Sequence, residues 1–154
     1  MESMPLPAGE HAVFPARLSA LPDTAIFARD FCERNGVSRD DALRLTLIIE
    51  ELFTNTVQHG YGSESDAPIR VTLGISGPHV TILYEDAAPA YDPLALIHVK
   101  PSTLNDPVDD RPLGGLGGYI LGQLIVAATY SYEHGSNRLW LTMPREEPAS
   151  ARQD

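Results

Sequence analysis

The sequence predicts an α+β fold, a two-layer α/β sandwich with helices packed on one face of a largely antiparallel, mixed sheet. Three observations carry that expectation. Residues 69–84 alternate apolar and polar side chains on either side of a Gly-Pro turn, the mark of a β-hairpin. Two stretches before the hairpin repeat their apolar residues with helical spacing. The resulting order, β-α-α-β-β-loop-α-β-β, does not alternate strand with helix one by one, so a helical layer on a sheet is favoured over a doubly wound fold.

Each element has its own warrant. His11–Ala16 is predicted as a short edge strand, with Pro15 limiting its pairing. Ser19–Asn35 carries Phe27, Ala28, Phe31 and Cys32 on one helical face and meets Gly36 where a C-cap belongs. Ser38, followed three residues later by Asp41, resembles a capping box opening a second helix that runs to about His59. Leu45, Ile49, Leu52 and Thr56 mark its buried stripe, and Gly60–Ala67 is a loop. Ile69, Val71, Leu73 and Ile75 then alternate, Ser76-Gly77-Pro78 turns the chain, and Val80, Ile82 and Tyr84 complete the hairpin. Ala87–Leu113 contains five prolines and no sustained period, and a connection that long in a compact domain is usually functional or disordered. A glycine run, Gly114–Gly118, leads into an apolar helix over Tyr119–Ala128. Two strands close the chain, Thr129–Glu133 and Arg138–Met143, joined through His134–Asn137.

A chain of 154 residues is long enough for one domain with a real core, here placed at 11–144 between a disordered start (1–10) and a flexible tail (145–154). Eleven Lys and Arg against 21 Asp and Glu give a formal charge of −10, which argues against nucleic acid or an anionic membrane as direct partner. The single cysteine, Cys32, has no internal disulfide partner and reads as a buried structural thiol. No run reaches the length of a membrane span and Met1–Glu10 lacks the pattern of a signal peptide, so the expected location is cytoplasmic.

Three polar constellations stand out. Glu51, Asn55 and His59 are spaced i, i+4, i+8 and form one ridge bordering the buried stripe of the second helix. A ridge there can line a pocket, and a solvated helix face fits the same spacing. Asp86 ends the second hairpin strand, where it can accept a hydrogen bond from a ligand amino group or simply start a turn. The glycines before an apolar helix permit close backbone approach and offer free N–H groups to a phosphate; a flexible connection that binds nothing fits as well.

In this order and spacing, the three constellations resemble the nucleotide-binding boxes of the GHKL (Bergerat-fold) ATPases. The likeness is greatest to the anti-sigma-factor serine kinases of bacterial partner switching. Glu51-Leu52-Phe53-Thr54-Asn55-Thr56-Val57-Gln58-His59-Gly60-Tyr61 is similar to that family's N box. Asp86-Ala87-Ala88-Pro89-Ala90-Tyr91-Asp92-Pro93 is similar to its D-x-G-x-P-F-D-P segment, and Gly114–Gly118 to its G-x-G box. Gly135-Ser136-Asn137-Arg138-Leu139 is similar to its closing turn and strand.

The resemblance implies ATP and Mg²⁺ as cofactors and a kinase domain over 11–144. It implies Glu51 as general base, Asn55 as Mg²⁺ ligand through its amide oxygen, and Asp86 as acceptor for the adenine amino group. His59, Ala88, Tyr91, Arg111, Gly114, Gly115, Leu116, Gly117 and Gly118 would complete the nucleotide site, with Ala87–Leu113 as a lid over ATP. Lys100 and Arg111 are the lid's two candidates for the γ-phosphate. Ala88 and Gly118 depart from the family pattern, which has glycine and a large apolar residue there. The implied partners are a STAS-domain anti-sigma-factor antagonist, phosphorylated on serine or threonine, and a sigma factor, with the kinase as a homodimer. Two other readings share the fold: a protein-interaction module with little catalysis, and an ATPase without a protein substrate.

Overall fold

A computed structural model describes residues 9–92 and 122–146. The chain runs through strand β1 (Gly9–Pro15), a 3₁₀ turn (Leu18–Ala20) and helices α1 (Leu21–Arg34) and α2 (Arg39–Asn55). A π-helical turn (Thr56–Gly60) and strands β2 (Pro68–Ser76), β3 (His79–Asp86), β4 (Ala127–Glu133) and β5 (Ser136–Pro144) follow. The strands form one sheet in the order β1-β2-β3-β5-β4. All four pairings are antiparallel, so no parallel pair occurs among the described residues.

Local chemistry sets the helix ends. Pro22 lies in the first turn of α1, where its missing N–H costs nothing. The helix ends in a Schellman arrangement: Gly36 takes φ +67° and the Val37 N–H donates to the Cys32 carbonyl at 3.0 Å. Ser38 caps α2, accepting from the Asp41 N–H at 3.1 Å. The expected capping box is only half made, because the Asp41 carboxylate turns to Arg44 and to the Glu146 N–H instead.

The hairpins differ in their turns. Gly77 supplies positive φ (56°) ahead of Pro78 between β2 and β3, which suits a II′ turn. Between β4 and β5, His134 and Gly135 both have positive φ (54° and 79°), as a I′ turn requires. That turn is tighter than the sequence suggested: Ser136 and Asn137 already belong to β5, and Glu133 faces Ser136. The apolar segment 119–128 was expected to be helical. Residues 122–124 are, but Ala127 and Ala128 open β4, opposite Thr142 and Leu141. Their pairing to β5 outweighs alanine's helical preference.

The core lies between the helices and one face of the sheet. The predicted α2 stripe is buried throughout: Leu45, Ile49, Leu52 and Thr56. Opposite it stand Ile69, Val71 and Leu73 of β2, Val80, Ile82 and Tyr84 of β3, and Leu139, Leu141 and Met143 of β5. Phe14 of β1 packs edge-on against Phe27 and Phe53, at 6.0 and 6.4 Å between ring centroids. Cys32 is buried as expected, and burial, with the charge of Asp41, pushes its thiol up to about 11. The contacts of the body continue past β5: Arg145 donates to the carbonyls of Gly77 and Asn35. Among the described residues no helix is long and apolar enough to cross a membrane.

Candidate functional site

The inner face of the sheet changes character at one end. Rows of facing residues read Leu73–Ile82–Leu141, then Val71–Tyr84–Leu139, then Ile69–Asp86–Asn137. The last row thus puts a carboxylate and a carboxamide side by side inside the core layer, 4% and 5% exposed. Polar groups so placed must find partners, and they do. Asp86 Oδ1 accepts from Asn137 Nδ2 at 2.9 Å and from the Ala88 N–H at 3.1 Å. Its Oδ2 receives the Thr56 and Tyr91 hydroxyls, each at 3.1 Å. Asn137 also donates to the Ala88 and Pro89 carbonyls at 3.0 and 3.2 Å. Its Oδ1 accepts from the Tyr91 N–H at 3.1 Å and the Tyr130 hydroxyl at 2.5 Å.

Asn137 therefore fixes both Asp86 and the backbone of residues 88–91, and the sequence reading missed it. Gly-Ser-Asn after a strand has the composition of a turn; only the β3–β5 register, which sets Asn137 against Asp86, reveals its place. Thr56 was read as part of the apolar stripe. It is buried as that requires, yet its hydroxyl also lies 2.7 Å from the Tyr84 hydroxyl and joins the network. Burial raises the Tyr84 and Tyr91 phenols well above their ordinary value, and the Asp86 charge adds to it in both cases. Both remain hydrogen-bond donors at neutral pH.

The end of α2 brings the first box to this network. The α-helix stops at Asn55 rather than near His59, and the Tyr61 N–H reaches the Thr56 carbonyl five residues back at 2.7 Å. Such π turns recur at functional sites. Here the wide turn delivers the Tyr61 ring to a clamp. Its hydroxyl donates to the Pro68 carbonyl and accepts from the Ala87 N–H, both at 2.8 Å. A side chain on Gly60 would meet the Tyr91 ring at 3.1 Å and the Ala88 methyl at 3.3 Å. Glycine at 60 thereby makes room for the methyl group that Ala88 carries in place of the family's usual glycine.

Asn55, Asp86, Tyr91 and Asn137 line one small cavity, with Tyr84, Tyr130 and two leucines, 52 and 139, completing its wall. Its volume is about 10 Å³. The Asn55 carboxamide makes no hydrogen bond to another described residue, which leaves its oxygen available to an incoming group. Oxygen donors of this kind suit Mg²⁺, an ion that keeps several waters and needs few protein ligands. Glu51 stands one helical turn before Asn55 and is half-buried; burial first, and then the charge of Glu50, raise its carboxyl above the ordinary 4.5. His59 is exposed on the π turn and does not line the cavity. Among the described residues no three His, Cys, Asp or Glu side chains gather as a metal-binding group. Lys100, Arg111, Gly114, Gly115, Leu116, Gly117 and Gly118 lie outside the described residues.

The sequence profile of the histidine kinase-like ATPase domain matches residues 14–143. The chain is 27% identical over 122 residues to the serine-protein kinase RsbW of Bacillus cereus (strain G9842), covering 79% of this chain and 76% of that one. Against RsbW of Bacillus licheniformis it is 30% identical over 95 residues, covering 58% and 57% of the two chains. In structure it is similar to the RsbU and RsbW domains of Rv1364c from Mycobacterium tuberculosis (TM-score 0.62, 20% identity), covering 94% of this chain and 34% of that longer one. It is also similar to the SiaB–SiaC complex of Pseudomonas aeruginosa (TM-score 0.55, 14% identity), covering 87% and 88%.

Proposed function

The chain belongs to the histidine kinase-like ATPase domain family, and on that premise we propose that it is an ATP- and Mg²⁺-dependent protein-serine kinase of the partner-switching type. Its substrate is a STAS-domain anti-sigma-factor antagonist, and the kinase also sequesters a sigma factor, as a homodimer in the cytoplasm. Phosphorylation releases the antagonist and leaves the kinase free to hold sigma. The serine-kinase relatives and the fold shared with RsbW and SiaB support this reading.

The observation that carries it is the pairing, in one cavity, of a buried Asp86 carboxylate with an Asn55 carboxamide that bonds to no other described residue. A carboxylate held at a fixed place on a strand end accepts from the amino group of adenine and not from the carbonyl of guanine. Asn55 would hold Mg²⁺ through its amide oxygen, and the ion would supply positive charge beside the phosphates. Glu51, its carboxyl raised by burial, takes the proton from the substrate serine as the serine oxygen attacks the γ-phosphorus. The bond from that phosphorus to the β,γ-bridging oxygen breaks, and ADP leaves.

A second reading, an interaction module of the same fold with little catalysis, is favoured by one observation. All four acceptor positions of Asp86 already have protein donors. One experiment separates the two. Incubated with γ-labelled Mg-ATP, the chain is expected to transfer label to a serine of a STAS-domain protein, and Asn55→Ala is expected to abolish the transfer. Nucleotide binding without any transfer would favour the interaction module.

A further inference from the structure

The Asp86 carboxylate has four donors, but they are not equivalent. Asn137 approaches from the neighbouring strand, Thr56 from the turn that ends α2, and the Ala88 N–H from the backbone two residues on. Each is held by contacts away from Tyr91: Asn137 by three further hydrogen bonds, to the Ala88 and Pro89 carbonyls and from the Tyr130 hydroxyl, Thr56 by the Tyr84 hydroxyl, and Ala88 by burial beside Gly60. Tyr91 is different. It belongs to no strand or helix; its N–H donates to Asn137 Oδ1, and its hydroxyl has Asp86 and Thr56 as partners, all at 3.1 Å.

We propose that Tyr91 is an affinity-setting residue whose phenol occupies the position on Asp86 that the adenine amino group of ATP must take. The inference rests on the reading of Asp86 as the adenine acceptor. Two features support it. With Tyr91 in place the cavity measures about 10 Å³, the space of one water at most, and a purine does not fit. When the Tyr91 hydroxyl leaves, Oδ2 still has the Thr56 hydroxyl and Oδ1 keeps both its donors, so the carboxylate is not stranded. The exchange is one O–H donor for one N–H donor. The residue named from the sequence as a nucleotide contact thus acts as a competitor of the nucleotide.

Tyr91→Phe tests this, because it removes the hydroxyl and keeps the ring that packs on Gly60. Two quantities are measured on the full chain: affinity for Mg-ATP by calorimetry, and the melting temperature with and without Mg-ATP. Loss of one hydrogen bond of modest net value predicts ATP binding about 3- to 10-fold tighter than wild type. The ligand-free protein is expected to melt lower and the ATP-induced rise to be larger, opposite signs that a purely structural role does not produce. ATP binding that is unchanged or weaker in Tyr91→Phe, with wild type binding normally, overturns the inference and leaves the kinase reading standing. Failure of both proteins to bind Mg-ATP overturns the kinase reading and the inference together.

Discussion

Two aspartates are buried at opposite ends of α2, and they are satisfied in different ways. Asp41, 2% exposed in the first turn, is closed by a cation and a backbone group: Arg44 at 2.8 Å and the Glu146 N–H at 2.7 Å. Asp86, 4% exposed and packed on the other end through Thr56, has no cation among its described partners. It takes two hydroxyls, a carboxamide and one N–H. The first is a fastening that ties the chain after β5 to the start of α2. The second borders a cavity, and one of its donors, Tyr91, belongs to no strand or helix. The two carboxylates are buried to nearly the same depth and differ in the kind of donor they take and in the space beside them.

The largest expected effect lies between the two aspartates, at Glu51. If Glu51 is the general base, it contributes through proton transfer alone, so Glu51→Gln should bind Mg-ATP normally and transfer phosphate about 10²- to 10⁴-fold more slowly. Single-turnover transfer to a STAS-domain protein measures this. The pH dependence carries the same assignment. Burial raises the Glu51 pKa above 4.5, and only the carboxylate accepts the proton, so the wild-type rate should fall on the acid side through that raised value. Stability follows with opposite sign. A carboxyl raised on folding favours the folded state at low pH and loses that contribution as pH rises through its folded value. Glu51→Gln should therefore be at least as stable as wild type at pH 7, with the difference closing below 4.5.

Next in size is the fastening. Asp41→Ala removes the acceptor of Arg44 and of the Glu146 N–H, and chemical denaturation should show a loss of about 2 kcal/mol. Its nucleotide affinity should stay at the wild-type value. A fall in affinity as large as that produced at Asp86 would erase the distinction between the two sites.

How far the sequence told these regions apart follows from what each depends on. The hairpin 69–84, the α2 stripe and the strand-ending Asp86 are local patterns, and local patterns can be read. The π turn could not be, because Thr56-Val57-Gln58-His59-Gly60 continues a helical pattern; the extra residue in the turn accompanies the clamp of Tyr61 on Pro68 and Ala87. Asn137 and the hydroxyl role of Thr56 depend on which strand lies beside β3, a tertiary fact. Ala127 and Ala128 were misread because two alanines carry no strand signal until β5 lies beside them.

The smallest expected effect is at the β4–β5 turn, two residues before Asn137. His134 holds φ 54°, a conformation that asparagine adopts more readily, so His134→Asn should stabilise the fold by about 0.5 kcal/mol. The shift in denaturation midpoint checks it, and unchanged ATP affinity would show that the turn supports Asn137 without tuning it.

Calorimetric titration of Mg-ATP into wild type and Asp86→Asn tests the central claim most directly. If the carboxylate accepts from the adenine amino group, the substitution replaces one acceptor oxygen with a donor, and affinity should fall at least about 10-fold. Circular dichroism should show the fold retained. Equal affinity in the two proteins would contradict the account, and would place the nucleotide away from the buried end of β3.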